Sequence, residues 1–84
     1  MADVTAGQFN SHIANGKDLS GLNLSGLDLS YLSITKLNLR GVNLAGCNLS
    51  GSDLSGSDLT RANLRGACLD DAKLYGTILT RANL

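Results

Sequence analysis

Glutamate, tryptophan and proline are absent from this 84-residue sequence, and histidine occurs once, as His12. The inventory for catalysis is therefore thin. There is no ordered Ser-His-Asp set and no phosphate-cradling glycine loop that opens a helix, and His12 has neither nucleophile nor carboxylate at a fixed spacing. An enzyme is not expected, and His12 is expected on the surface. Three aromatic residues, Phe9, Tyr31 and Tyr75, stand against seventeen leucines, so any core has to be stacked from aliphatic groups. Charge of one sign is missing too: seven Lys+Arg balance seven aspartates, which makes nucleic acid an unexpected partner. No apolar run approaches the roughly 20 residues that cross a bilayer, and no charged start leads into an apolar stretch. A membrane partner is not expected. A cytoplasmic location is, with a secreted effector lacking a cleaved signal as the alternative. Two cysteines, Cys47 and Cys68, are too few for a disulfide framework and match no CxxC metal pattern. Free thiols are expected, and no metal or other cofactor.

What the chain does have is a period. From Leu19 an aliphatic residue returns at every fifth position: Leu19, Leu24, Leu29, Ile34, Leu39, Leu44, Leu49, Leu54, Leu59, Leu64, Leu69, Leu74, Leu79 and Leu84. Neither the helical period of about 3.6 nor the strand period of about 2 keeps these on one side. A chain that turns through a right angle after each group of five does, because each segment then points its middle residue at a common axis and four segments close a square coil. Two positions before each centre the residue is apolar or small, from Leu22 and Leu27 to Ala72, Thr77 and Ala82, as an inward-facing neighbour has to be. Asp or Asn mostly precedes the centre, on the outward side, where a short polar group bonds nearby backbone. Glycines such as Gly21, Gly26, Gly41 and Gly66 follow by two and mark the corners.

Segments such as Ala62-Asn63-Leu64-Arg65-Gly66 and Ala82-Asn83-Leu84 resemble the A(D/N)LXX consensus of the pentapeptide-repeat proteins. The resemblance runs from residue 17 to residue 84. It implies an all-β solenoid, a right-handed quadrilateral parallel β-helix, in which residues 17–84 form between three and four coils; residues 1–16 are expected to be an N-terminal helical cap with a short α-helix. Departures include Ile34 for the central leucine, Ser33, Cys68, Lys73 and Ile78 for Asp/Asn, and large residues at the early inward positions, which imply a first coil wider than the last.

The cap is also legible locally. Thr5 followed by Gln8 has the form of a capping box, and Gly16 stands where a helix stops, predicting a helix over about residues 6 to 14. Phe9 and Ile13, four apart, share one face and are expected to cover the ends of the leucine columns. At the other end Leu79, Ala82 and Leu84 form the last rung, where two copies are expected to meet end to end, unless the chain is a piece of a longer array. Arg40, Arg61, Arg65 and Arg81 gather on adjoining faces and are the candidate binding face. Pairing with Asp18 and Asp58 is the competing expectation for them. Cys47 is expected inside and Cys68 outside. The functional expectation is a non-catalytic protein-protein interaction or structural scaffold module with an unknown protein partner. A DNA-mimicking ligand of a type II topoisomerase, gyrase, is the alternative that the family resemblance raises, but the neutral charge and short length argue against it.

Overall fold

The computed structural model describes residues 2–16 and 18–84. Among these the chain forms one α-helix, α1 (Ala6–Ala14), followed by a regular succession of turns and parallel bridges. Each bridge joins residues twenty apart, from Asn23↔Asn43 and Asp28↔Asn48 through Asp58↔Ile78 to Asn63↔Asn83. The N–H of Leu24 donates to the carbonyl of Asn43 at 2.7 Å, the N–H of Asn43 donates to that of Leu22 at 2.9 Å, and the same pair of bonds recurs around the coil. The backbone thus returns above itself every twenty residues, as a β-helix-type solenoid does.

The period of five is written into the backbone torsions. From residue 16 to residue 81 every fifth residue has a positive φ. Nine of these positions are glycine, but Tyr31, Lys36, Arg61, Asp71 and Arg81 take φ values between 56 and 61. The corners expected of glycine are therefore corners of position. The solenoid imposes the left-handed conformation even where a side chain makes it costly, by about 1–2 kcal/mol per residue.

The centres from Leu19 to Leu64 are all buried, and each such side chain removed from water contributes about 1.5–3 kcal/mol. The last four centres depart from the expectation that every fifth residue fills the interior. Leu69 and Leu79 are half-buried, while Leu74 and Leu84 are 37% and 72% exposed, because none of the described coils stacks on them.

The inward residue two before each centre sets how tightly the turn closes. The bond across the turn measures 3.4 and 3.3 Å at Leu22 and Leu27, 3.2 Å at Val42 and Thr77, 3.1 Å at Cys47, Ser52 and Ser57, and 2.9, 3.1, 3.0 and 3.0 Å at Ala62, Ala67, Ala72 and Ala82. No such bond forms at Leu32 or Leu37. A branched side chain wedged inside the corner pries the turn apart, and an alanine lets it shut, so the first coil is the lax one.

Capping follows the expected chemistry. The N–H of Thr5 donates to Gln8 Oε1 at 2.9 Å, and the N–H of Gln8 donates back to Thr5 Oγ1 at 3.1 Å, satisfying two donors that the first helical turn leaves free. Phe9 is buried in the same cluster as Leu19, Leu24 and Leu29, and Ile13 packs against that cluster. Asp3 adds a contact that the pattern does not announce. Its N–H donates to the carbonyl of Asn23 at 2.7 Å, and its Oδ2 accepts from the N–H of Asn23 at 2.8 Å, so it stands in for a rung below the first. The expected boundary between cap and repeats falls at Lys17, outside the described residues.

Candidate interaction surface

Because residues twenty apart stack, the exterior consists of vertical columns. One turn column holds Gly21, Gly41, Arg61 and Arg81, and the N–H of Arg61 donates to the carbonyl of Thr80 at 2.8 Å. Arg40 precedes this column one coil below Thr60. Arg65 occupies the next turn of the same coil as Arg61. All four arginines are exposed.

Their pairing differs from both simple expectations. Arg40 Nε lies 3.7 Å from Asp58 Oδ2, but Arg61, Arg65 and Arg81 have no carboxylate at salt-bridge distance among the described residues. Asp18 is occupied locally: its Oδ1 accepts from the N–H of Ser20 at 3.0 Å and from Ser20 Oγ at 2.8 Å. The geometry is general, since Asn23, Asp28, Asn38, Asn43, Asn48, Asp53, Asp58 and Asn63 each accept from the N–H two residues on. Hydrogen bonds to Ser20, Ser30, Ser55 and Thr60 hold the carboxyls of Asp18, Asp28, Asp53 and Asp58 below the usual 3.8, helped by Lys73 at Asp53 and by Arg40 at Asp58.

Among the described residues no buried side-chain nitrogen or oxygen lacks a hydrogen-bond partner. Ser52 Oγ donates to the Leu49 carbonyl at 2.7 Å, Thr77 Oγ1 to that of Leu54 at 2.8 Å, and Cys47 Sγ to that of Leu24 at 2.9 Å. Burial pushes the Cys47 thiol up from 9.0. Ser57 does more. Its Oγ donates to the Ile34 carbonyl at 2.6 Å while accepting from the N–H of Leu37 at 3.0 Å, so it bridges the open turn whose direct bond is missing. Sequence reading missed this role. The signal was a serine at an inward position, since a buried hydroxyl needs a partner.

The remaining expected residues fall as follows. Cys47 is buried and Cys68 half-buried, both free, and Cys68 Sγ lies 3.1 Å from Ser50 Oγ. His12 is half-buried rather than fully on the surface, since α1 lies against the first coil. Tyr31 and Tyr75 are exposed, and the Tyr31 ring lies over Gly51, where an added Cβ would strike it. At the far end Leu84 is exposed, Leu79 and Ala82 are half-buried, and Ile78 is 46% exposed beside them. No group of three or more His, Cys, Asp or Glu among the described residues is arranged to hold a metal ion.

A twenty-residue register, a turn every five residues and a leucine-filled axis define a class of protein, and comparison agrees. The family model described as pentapeptide repeats matches residues 38–76 in eight copies, and the chain belongs to that family. Among solved structures it is similar to HetL, a pentapeptide repeat protein involved in heterocyst differentiation regulation from the cyanobacterium Nostoc sp. strain PCC 7120. The two are 34% identical over 81% of this chain and 38% of HetL, with a TM-score of 0.51. It is also similar to alr5209, a pentapeptide repeat protein from Nostoc PCC 7120, at 30% identity over 93% of this chain and 74% of that one, with a TM-score of 0.38. The chain spans 38% of the length of HetL. No curated protein sequence matches it.

Proposed function

We propose that this chain is a non-catalytic protein-interaction or scaffold module, folded as a right-handed quadrilateral parallel β-helix with α1 as its cap. The observation that carries the reading is the unbroken register. Bridges twenty residues apart and turns every five hold exterior side chains in fixed columns on a backbone that is already ordered, so a partner binds at little ordering cost. The buried hydroxyls and the Cys47 thiol are all bonded to backbone carbonyls, which leaves none poised as a nucleophile. The test is capture from a cell lysate on the immobilised protein, read by mass spectrometry. Proteins retained above a heat-unfolded control support the module, and a bare column sinks it.

The same module has a second contact surface at the rung of Leu79, Ala82 and Leu84, where two copies meet end to end. Support comes from the exposure of Leu74, Ile78 and Leu84, since uncovered aliphatic groups on an unpaired strand edge invite another chain. Light scattering across concentration checks it: a mass that rises to twice the monomer is expected, and one that stays monomeric removes the dimer.

A further inference from the structure

Thr60-Arg61-Ala62-Asn63-Leu64 and Thr80-Arg81-Ala82-Asn83-Leu84 are the same five residues one coil apart. The bridge Asn63↔Asn83 and the bond from Arg61 N–H to Thr80 O lock them in register, so the two guanidinium stems leave the tower one strand spacing apart, about 4.8 Å. Both residues have positive φ, 61 and 56, where earlier rungs of the same column use Gly21 and Gly41. Arginine has no local device that favours this conformation, unlike Asn or Asp. Two like charges directly opposite on neighbouring rungs also repel. Within the chain no carboxylate offsets the repulsion, since the one ion pair among the described residues belongs to Arg40 and Asp58. Arg65, exposed on the adjoining turn of the same coil, extends the positive edge.

Resting on the interaction-module reading, we propose that Arg61 and Arg81, flanked by Arg65, form a docking strip for an acidic segment of a partner protein. A guanidinium matches a carboxylate through two parallel N–H donors, and two of them on flexible stems one rung apart reach the alternate carboxylates that share one face of an extended acidic strand. Nucleic acid fits less well. Its affinity grows with the number of phosphates neutralised, and three free arginines on a chain of zero net charge neutralise few.

The fold itself supplies the variant for the test. Glycine occupies the same column at Gly21 and Gly41, so R61G/R81G removes both charges while relieving the backbone. Fluorescein-labelled hexaglutamate is titrated with wild type and with R61G/R81G at about 10 mM salt, where screening is weak, and a short DNA duplex is titrated alongside. The expected result is binding by wild type and a loss of about tenfold in the double variant, the effect of removing two exposed charge pairs, with a urea midpoint unchanged or raised. Three outcomes overturn the strip: equal binding by both proteins, a lowered urea midpoint in R61G/R81G, which makes the arginines structural, or tighter binding of the duplex than of the peptide. Lysate capture undiminished in R61G/R81G also overturns the strip while leaving the interaction module standing.

Discussion

Ser57→Ala is the sharpest probe of the interior. Ser57 is fully buried, and its hydroxyl is the recorded partner of both the Leu37 N–H, at 3.0 Å, and the Ile34 carbonyl, at 2.6 Å. Removing it leaves a donor and an acceptor stranded in the wall of the tower. An unsatisfied buried backbone group costs about 1–3 kcal/mol, and part of that is recovered if the turn tightens or water enters, so the variant loses about 2–4 kcal/mol. Ser52→Ala is the matched control. Ser52 is equally buried, but the Leu49 carbonyl it serves at 2.7 Å also accepts from the N–H of Ser52 itself at 3.1 Å, so its loss costs about 1 kcal/mol or less. Equilibrium urea unfolding followed by far-ultraviolet dichroism reads both. Ser57→Thr, which keeps the hydroxyl and copies Thr77 in the same column, restores most of the stability. Equal losses in the two alanine variants, to within about 0.5 kcal/mol, would refute the bridging argument.

Three further predictions follow from the same contacts. Phe9→Ala uncovers the lower ends of the leucine columns and lowers stability by about 3–5 kcal/mol in urea unfolding; a loss below about 1 kcal/mol would mean that α1 is not a cap. Asp18, Asp28, Asp53 and Asp58 are held below 3.8 in the folded chain. Their contribution is therefore present above the unfolded value and lost as pH falls through the folded ones, so the melting temperature holds down to about pH 4 and declines below it. A D18N/D28N/D53N/D58N variant shows a flatter decline, and an unchanged slope counts against the bonds from the serines and Thr60. A thiol-reactive chromophore titrates one thiol per native chain, Cys68, and two after denaturation, since burial holds Cys47 protonated and only the thiolate reacts. Two fast-reacting thiols in the native state would contradict the burial of Cys47.

The five-residue spacing made the interior legible as far as Leu64, because a residue that recurs at that interval is buried only by a chain that turns at the same interval. It misled at Leu69, Leu74, Leu79 and Leu84, since burial also needs a coil on the far side, and periodicity within one chain carries no information about that. Thr5 and Gln8 announced α1 through chemistry confined to four consecutive residues. Asp3 was silent because its bonds reach Asn23 across twenty positions. The glycine corners were read by residue type, which overlooked Tyr31, Lys36, Arg61, Asp71 and Arg81; there the cooperative register decides the torsion and the side chain complies. The expected pairing of the arginines was half legible. Asp58 does meet Arg40 through Oδ2 while its Oδ1 is bonded to Thr60, whereas Asp18, bonded to Ser20 in the same way, has no arginine at salt-bridge distance among the described residues.

A register of twenty built from steps of five has a consequence at the level of the gene. Insertion of fifteen bases, a single pentad, keeps every leucine pointing inward but swings all downstream columns a quarter of the way around, so Arg81 no longer stands above Arg61 although nothing in the core has changed. Insertion of four pentads lengthens the tower and returns each column to its place. Interiors of this kind tolerate frequent slippage, while a surface arrangement that spans two coils survives only when duplications arrive in complete circuits, and the recurrence of Thr-Arg-Ala-Asn-Leu twenty residues apart has that arithmetic.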